Sequence, residues 1–121
     1  MLFRSLIPVT ALEAISGPTV TTTDRVEHAR QVAHDHASDW VIVLDTNNSV
    51  LGWLSLDRLE SAAHVGDCTP WPFKREVNAR DSLRAALNAM VANDTGVVPR
   101  LGPERRYEGL LTHDNLSRQL P

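Results

Sequence analysis

The sequence predicts an α+β fold made of two β-α-β-β-α repeats packed around a pseudo-two-fold axis. Three observations carry this. First, the chain is self-similar at an offset of 57 residues, which sets Asp24 on Asp81 and Gly52 on Gly109. At that offset, without a gap, Val20 meets Val77, Ala29 meets Ala86, Val41 meets Val98, Leu44 meets Leu101, Leu54 meets Leu111 and Asp57 meets Asp114. Second, both copies show the same order of strand-like and helix-like apolar patterns. Third, 121 residues is enough for one compact domain or two very small ones, and at this size roughly two thirds of the unfolded surface can be buried.

Thr10-x-x-Glu13 is a capping-box pattern that predicts a short opening helix, ended by Gly17-Pro18. Each copy then begins with a short strand, Thr19–Thr22 or Glu76–Ala79. Asp24 and Asp81 stand where helix N-caps belong, and Glu27 stands where a capping-box partner would. In the second helix Leu83, Ala86, Leu87 and Met90 form an apolar stripe. The first helix keeps Val26, Ala29 and Ala33 but puts Arg30 on that stripe. The run Val41–Leu44 is apolar throughout, as in a strand buried on both faces. Its counterpart, 97–101, contains Pro99, which cannot donate to a ladder and so predicts an edge or strand end. Turn-forming residues follow at 46–49 and 102–106, with Arg105 and Arg106 read as solvated. A third strand comes next (Val50–Leu54; Tyr107–Leu111), then a second helix (Asp57–His64; His113–Leu120). The expected organisation is a lead-in over 1–18, a first repeat over 19–64, an irregular linker over 65–75 and a second repeat over 76–121.

Composition excludes several classes. Apolar residues make up 42% of the chain, too many for disorder. No apolar run approaches the roughly 20 residues of a membrane span. Leu2–Val9, broken by Arg4, Ser5 and Pro8, does not read as a signal peptide or anchor. A net charge of −3 without a charged tail gives no reason to expect nucleic acid as a partner. The single cysteine, Cys68, rules out an internal disulfide and a multi-cysteine zinc site, and fits a reducing compartment. No nucleophile–base pair or metal cluster is apparent, so the chain is not expected to be an enzyme. His34-x-His36 falls on a predicted helix, where residues two apart do not share a face.

The third strand of each copy ends in a related motif, Gly52-Trp53-Leu54-Ser55-Leu56-Asp57-Arg58 and Gly109-Leu110-Leu111-Thr112-His113-Asp114-Asn115. Repeated in register after a helix–strand–turn–strand, this resembles the tandem CBS domain, or Bateman module, over about residues 10–120. The family pattern is Gly-h-h-Ser/Thr-x-x-Asp, where h is hydrophobic. The resemblance implies a regulatory module that binds an adenosine-containing ligand in clefts between the copies: AMP, ADP, ATP, S-adenosylmethionine or cyclic di-AMP. In such modules the hydroxyl residue contacts phosphate and the final Asp contacts the ribose hydroxyls. The chemistry is sound, since a hydroxyl beside free N–H groups attracts anions and a carboxylate accepts from two vicinal hydroxyls.

This sequence departs from the pattern at its last position, which holds Arg58 in one copy and Asn115 in the other; Asp57 and Asp114 come one residue early. Asn115 can still bond a ribose hydroxyl. Arg58 cannot accept a hydrogen bond but can pair with phosphate. The better site is therefore expected in the second copy, at Thr112 and Asn115, with Val98 and Pro99 near the base. Ser55 and Arg58 would form a poorer first site. Simpler readings stay open: Ser55 and Thr112 as helix N-caps, Asp57 and Asp114 as first-turn residues. Trp40 and Trp53 suit packing, Trp40 also bordering the first base slot, and Trp71-Pro72-Phe73 would pin the linker.

The stretches Asp94–Pro99 and Tyr107–Thr112 also look like the CBS pairs appended to the ATPase subunits of glycine betaine/choline-type ABC importers. With no phosphate-binding Gly-Lys-Ser/Thr loop here, that resemblance implies an ATPase domain elsewhere in the same polypeptide. It also implies a homodimer, and a cytoplasmic location tethered at the inner membrane through the transporter. The competing reading is a ligand-free dimerisation or ionic-strength-sensing scaffold.

Overall fold

The computed structural model describes residues 13–59, 62–78 and 80–119. The chain divides into two compact units, Gly17–Pro72 and a second that joins the residues up to Ser16 with those from Phe73 onward.

The first unit contains β1 (Thr19–Thr21), α1 (Val26–Asp35), β2 (Trp40–Leu44) and β3 (Val50–Ser55), followed by 3₁₀ turns at Leu56–Leu59 and Val65–Asp67. Its sheet order is β1-β2-β3, with β1 parallel to β2 and β2 antiparallel to β3. The second unit repeats this with β4 (Val77–Asn78), α2 (Leu83–Ala92), β5 (Val98–Leu101), a 3₁₀ turn at Pro103–Arg105, β6 (Tyr107–Leu111) and α3 (His113–Gln119). Its order is β4-β5-β6, in the same sense. The α+β repeat read from the sequence is therefore present.

Each unit has its own core. Val20, Val26, Ala29, Ala33, Val41, Val43, Leu54, Leu59 and Val65 fill the first. Val77, Leu83, Ala86, Ala89, Met90, Val98, Leu111 and Leu116 fill the second. The alternation of β2 sends Val41 and Val43 to one face and Ile42 and Leu44 to the other, and all four are buried. In α2 the buried stripe uses Ala89 where Leu87 was expected; Leu87 and Val91 are exposed.

Several local expectations are corrected. Asp24 and Asp81 are not N-caps. Each carboxylate instead accepts from a backbone N–H three residues back, Thr21 and Asn78, at 2.9 Å. These bonds close the turn leaving the first strand of each repeat. The caps are Arg25, with no side-chain bond, and Ser82, whose hydroxyl accepts from Ala85 N–H at 3.2 Å. Glu27 pairs with Arg25 and completes no capping box.

Pro99 lies in the central strand, not at an edge. The reason is visible at the equivalent Ile42, whose N–H donates to Pro18 O at 2.8 Å. Pro99 has no N–H to give, so β4 starts one residue later than β1 does, at Val77. Glu76, left out of that ladder, instead receives a bidentate ion pair from Arg105, both contacts 2.6 Å. Arg105 is thus committed, not merely solvated. The pair anchors a hairpin in which Glu104 and Arg105 both adopt positive φ, 60° and 61°.

The second helix of the first repeat, expected over 57–64, is only the 3₁₀ turn at Leu56–Leu59 among the described residues. Residues 63–65 are drawn into pairing with the start of α1: Val26 N–H donates to Ala63 O and Val65 N–H to Asp24 O. The opening helix at Thr10 begins outside the described residues, and Ile15 is not helical but bridges to Leu110. The linker is ordered by the Val65–Asp67 turn, a bridge from Trp71 to Trp53, and buried Phe73.

The two lead-in segments are exchanged. Ile15 precedes the first repeat yet pairs with β6 of the second; Trp71 precedes the second yet pairs with β3 of the first.

Candidate functional site

The paired motifs begin with glycines that do the same work. Gly52 has φ +149° and Gly109 φ +142°. A Cβ on Gly52 would lie 2.2 Å from Trp71 O, and one on Gly109 would lie 2.5 Å from Ala14 Cβ. Each glycine lets an exchanged lead-in cross its strand at contact distance. The motif glycine is thus a packing residue first.

In the second repeat, Thr112 follows β6 and caps α3. Its Oγ1 accepts from Asn115 N–H at 3.0 Å. The hydroxyl proton stays available for donation, because a hydroxyl has both capacities. The cap reading of Thr112 is thus realised without using up its donor. Asn115 donates through Nδ2 to Glu13 O at 3.0 Å. Its Oδ1 is buried and has no hydrogen-bond partner. A buried acceptor without a partner costs about 1–3 kcal/mol, which makes this oxygen the strongest unmet demand in the motif. Asp114 points elsewhere, into an exposed i,i+4 ion pair with Arg118 at 2.7 Å. Val98 is a core residue of its unit, and Pro99, the next residue along β5, is buried as well.

The first repeat is built differently. Ser55 ends β3 opposite Trp40, and the short 3₁₀ turn after it offers none of the amide alignment of a longer helix. Asp57 is exposed. The Arg58 guanidinium lies over the Trp71 ring, 3.9 Å from its centroid. Trp71 in turn meets Trp53 edge-on at 4.8 Å, and Trp53 meets Trp40 at 6.5 Å. This aromatic row, with Arg58 at one end, is invisible in sequence because Trp71 lies 18 residues beyond Trp53. Arg58 also borders an open groove of about 520 Å³ with Asp67, Cys68 and Thr69. The Cys68 S–H donates to Arg58 O at 3.6 Å. Burial, and next the Asp67 charge, push the thiol pKa above its ordinary value. That suits an inert thiol better than a nucleophile.

Two further residues escaped sequence reading. Asn93 is buried and fully engaged: Nδ2 donates to Arg75 O and Val97 O, and Oδ1 accepts from Arg75 N–H at 2.8 Å. Tyr107 donates its O–H to Ser16 O at 2.6 Å. His34 and His36 are exposed, and among the described residues no group of histidine, cysteine and carboxylate side chains is arranged to hold a metal.

No family model matches the chain. One curated relative, the osmoprotectant import ATP-binding protein OsmV of Salmonella typhimurium, is 24% identical over 102 residues, covering 83% of this chain and 27% of OsmV. The chain thus spans about a quarter of that relative's length. Among solved structures, a CBS domain pair/ACT domain protein from Thermotoga maritima superposes with a TM-score of 0.80 at 16% identity, over 93% of this chain and 95% of that one. The cytosolic domain of the Mg2+ channel MgtE, in complex with ATP, gives 0.64 at 23% identity, over 84% of this chain and 44% of that one. The chain has the fold of a CBS domain pair.

Proposed function

We propose that the chain is a regulatory module that senses an adenosine-containing nucleotide through its second repeat and modulates an ABC importer ATPase, in the same polypeptide or as a partner. One observation carries this: at the motif corner of the second repeat, a hydroxyl with its proton to give stands three residues from a buried carboxamide oxygen with no partner. Thr112 suits a phosphate oxygen, and Asn115 Oδ1 suits a ribose hydroxyl. The ATP complex of MgtE, which shares the fold, and the match to an osmoprotectant importer's ATP-binding protein support the reading. The candidate ligands are AMP, ADP, ATP, S-adenosylmethionine and cyclic di-AMP, and the importer class is that of glycine betaine. The module acts by binding, not catalysis, at the cytoplasmic side of a membrane where its transporter sits, and it pairs as a homodimer. A ligand can shift such a module only through different affinities for two arrangements.

The first repeat supports a second reading for its own half, as a scaffold without a ligand. Arg58 lies against Trp71, and among the described residues Ser55 is followed only by the 3₁₀ turn at Leu56–Leu59. Calorimetry of the chain against the five nucleotides tests the proposal. Binding of one, at one site per chain, is expected; silence across the panel leaves the scaffold reading in possession.

A further inference from the structure

Residues 13–16 are fastened to the second repeat by backbone and side-chain hydrogen bonds along their length. Ile15 N–H donates to Leu110 O at 3.0 Å, and Leu110 N–H donates back to Ile15 O at 2.8 Å. Tyr107 O–H holds Ser16 O. The Glu13 carbonyl accepts from both Asn115 Nδ2 and Gln119 Nε2, at 3.0 and 2.8 Å, while Gln119 Oε1 accepts from Glu13 N–H. Gly109 supplies the room, since a Cβ there would strike Ala14.

The segment therefore occupies the very side chain assigned above to ligand. With Nδ2 held by Glu13, the Asn115 carboxamide keeps Oδ1 turned into an enclosed place without a partner. A ribose hydroxyl reaches that oxygen only if the carboxamide turns, and turning breaks the bond to Glu13. We propose that residues 13–16 are a strap that competes with nucleotide for Asn115, so that ligand binding loosens the strap and the docked strap weakens the ligand. The proposal rests on the nucleotide reading of Thr112 and Asn115. Linkage makes the two effects equal in size.

The test uses the full 121-residue chain and two variants that leave Thr112 and Asn115 intact. Gln119→Ala removes the second hold on Glu13, and Tyr107→Phe removes the hold on Ser16 while keeping the ring. Calorimetry with AMP, ADP, ATP, S-adenosylmethionine and cyclic di-AMP is paired with amide exchange at Ile15 and Leu110. Each variant is expected to bind nucleotide roughly threefold to tenfold more tightly than the parent, as the loss of one or two modest hydrogen bonds to the competitor implies. Saturating the parent chain is expected to accelerate exchange at Ile15. The strap is overturned, with the nucleotide site left standing, if a nucleotide binds all three proteins alike, or the variants more weakly, and Ile15 keeps its protection. If no nucleotide binds any of the three, the nucleotide reading falls and the strap falls with it.

Discussion

Asn93 shows how a single polar residue stabilises this fold. It ties the end of α2 to Arg75 and Val97 by three hydrogen bonds from a buried carboxamide. Replacing it by alanine strands two carbonyls and one N–H, each costing about 1–3 kcal/mol when left unpaired. Asn93→Ala is therefore expected to lower unfolding stability by about 3 kcal/mol, read from the urea midpoint at constant slope. Tyr107 offers a spectroscopic readout, being the only tyrosine. Burial raises its phenol pKa far above the ordinary value. The folded state thus holds the proton more tightly than the unfolded chain. Its stabilisation is whole below about pH 10, the unperturbed phenol value, and is lost as the pH rises beyond it. Tyrosinate absorbance should appear only with unfolding at high pH, and Tyr107→Phe should flatten that alkaline limb. A phenol that titrates near its ordinary value in the folded protein would contradict the burial. Neither residue was legible in the sequence, because the distant partners that define their roles, Arg75 for Asn93 and Ser16 for Tyr107, lie 18 and 91 positions away. The caps at Asp24 and Asp81 were misplaced for a local reason: an aspartate one residue before the cap can close the preceding turn instead.

At the scale of elements, the periodicities were sound guides. The continuous apolar run of β2 and the stripe of α2 lie where their patterns put them, Leu87 apart. What misled was the assumption that equal motifs give equal elements. The turn described at Leu56–Leu59 is 3₁₀, and Ala63 and Val65 pair with the start of α1, a tertiary contact that no local pattern encodes. The motif glycines were legible as a repeat but not as packing residues, since the lead-ins they admit come from elsewhere in the chain. Gly52→Ala should be costly twice over, through positive φ and through a Cβ 2.2 Å from the Trp71 carbonyl. A loss of about 2–4 kcal/mol is expected, with the Trp53–Trp71 pairing disturbed. Unchanged tryptophan fluorescence and stability in that variant would refute the role given to this glycine.

For the whole molecule, the exchanged lead-ins redraw the repeat. A segment cut at 19–64, where the sequence ends its first copy, lacks Trp71 and the edge it covers. A segment of 17–72 contains the complete unit. Pieces this small are marginal in any case, since about 60 residues bury only about 60% of their unfolded surface. The longer piece is therefore expected to keep dispersed amide resonances under conditions where the shorter one does not. Equal behaviour of the two would show that the Trp71 bridge contributes little. The same exchange places residues 13–16 against the second motif, where Asn115 Nδ2 holds the Glu13 carbonyl, and so connects the lead-in to the proposed site.

The most direct measurement of the central claim is calorimetric titration of the chain with the five adenosine-containing ligands, beside Thr112→Val. That substitution removes the hydroxyl, keeps the shape, and costs about 1 kcal/mol of helix capping, too little to unfold a stable domain. The account predicts that one of the nucleotides binds the parent chain and that Thr112→Val weakens it about tenfold, the worth of one hydrogen bond to a charged oxygen. Binding that Thr112→Val leaves unchanged, or no binding at all, would contradict it.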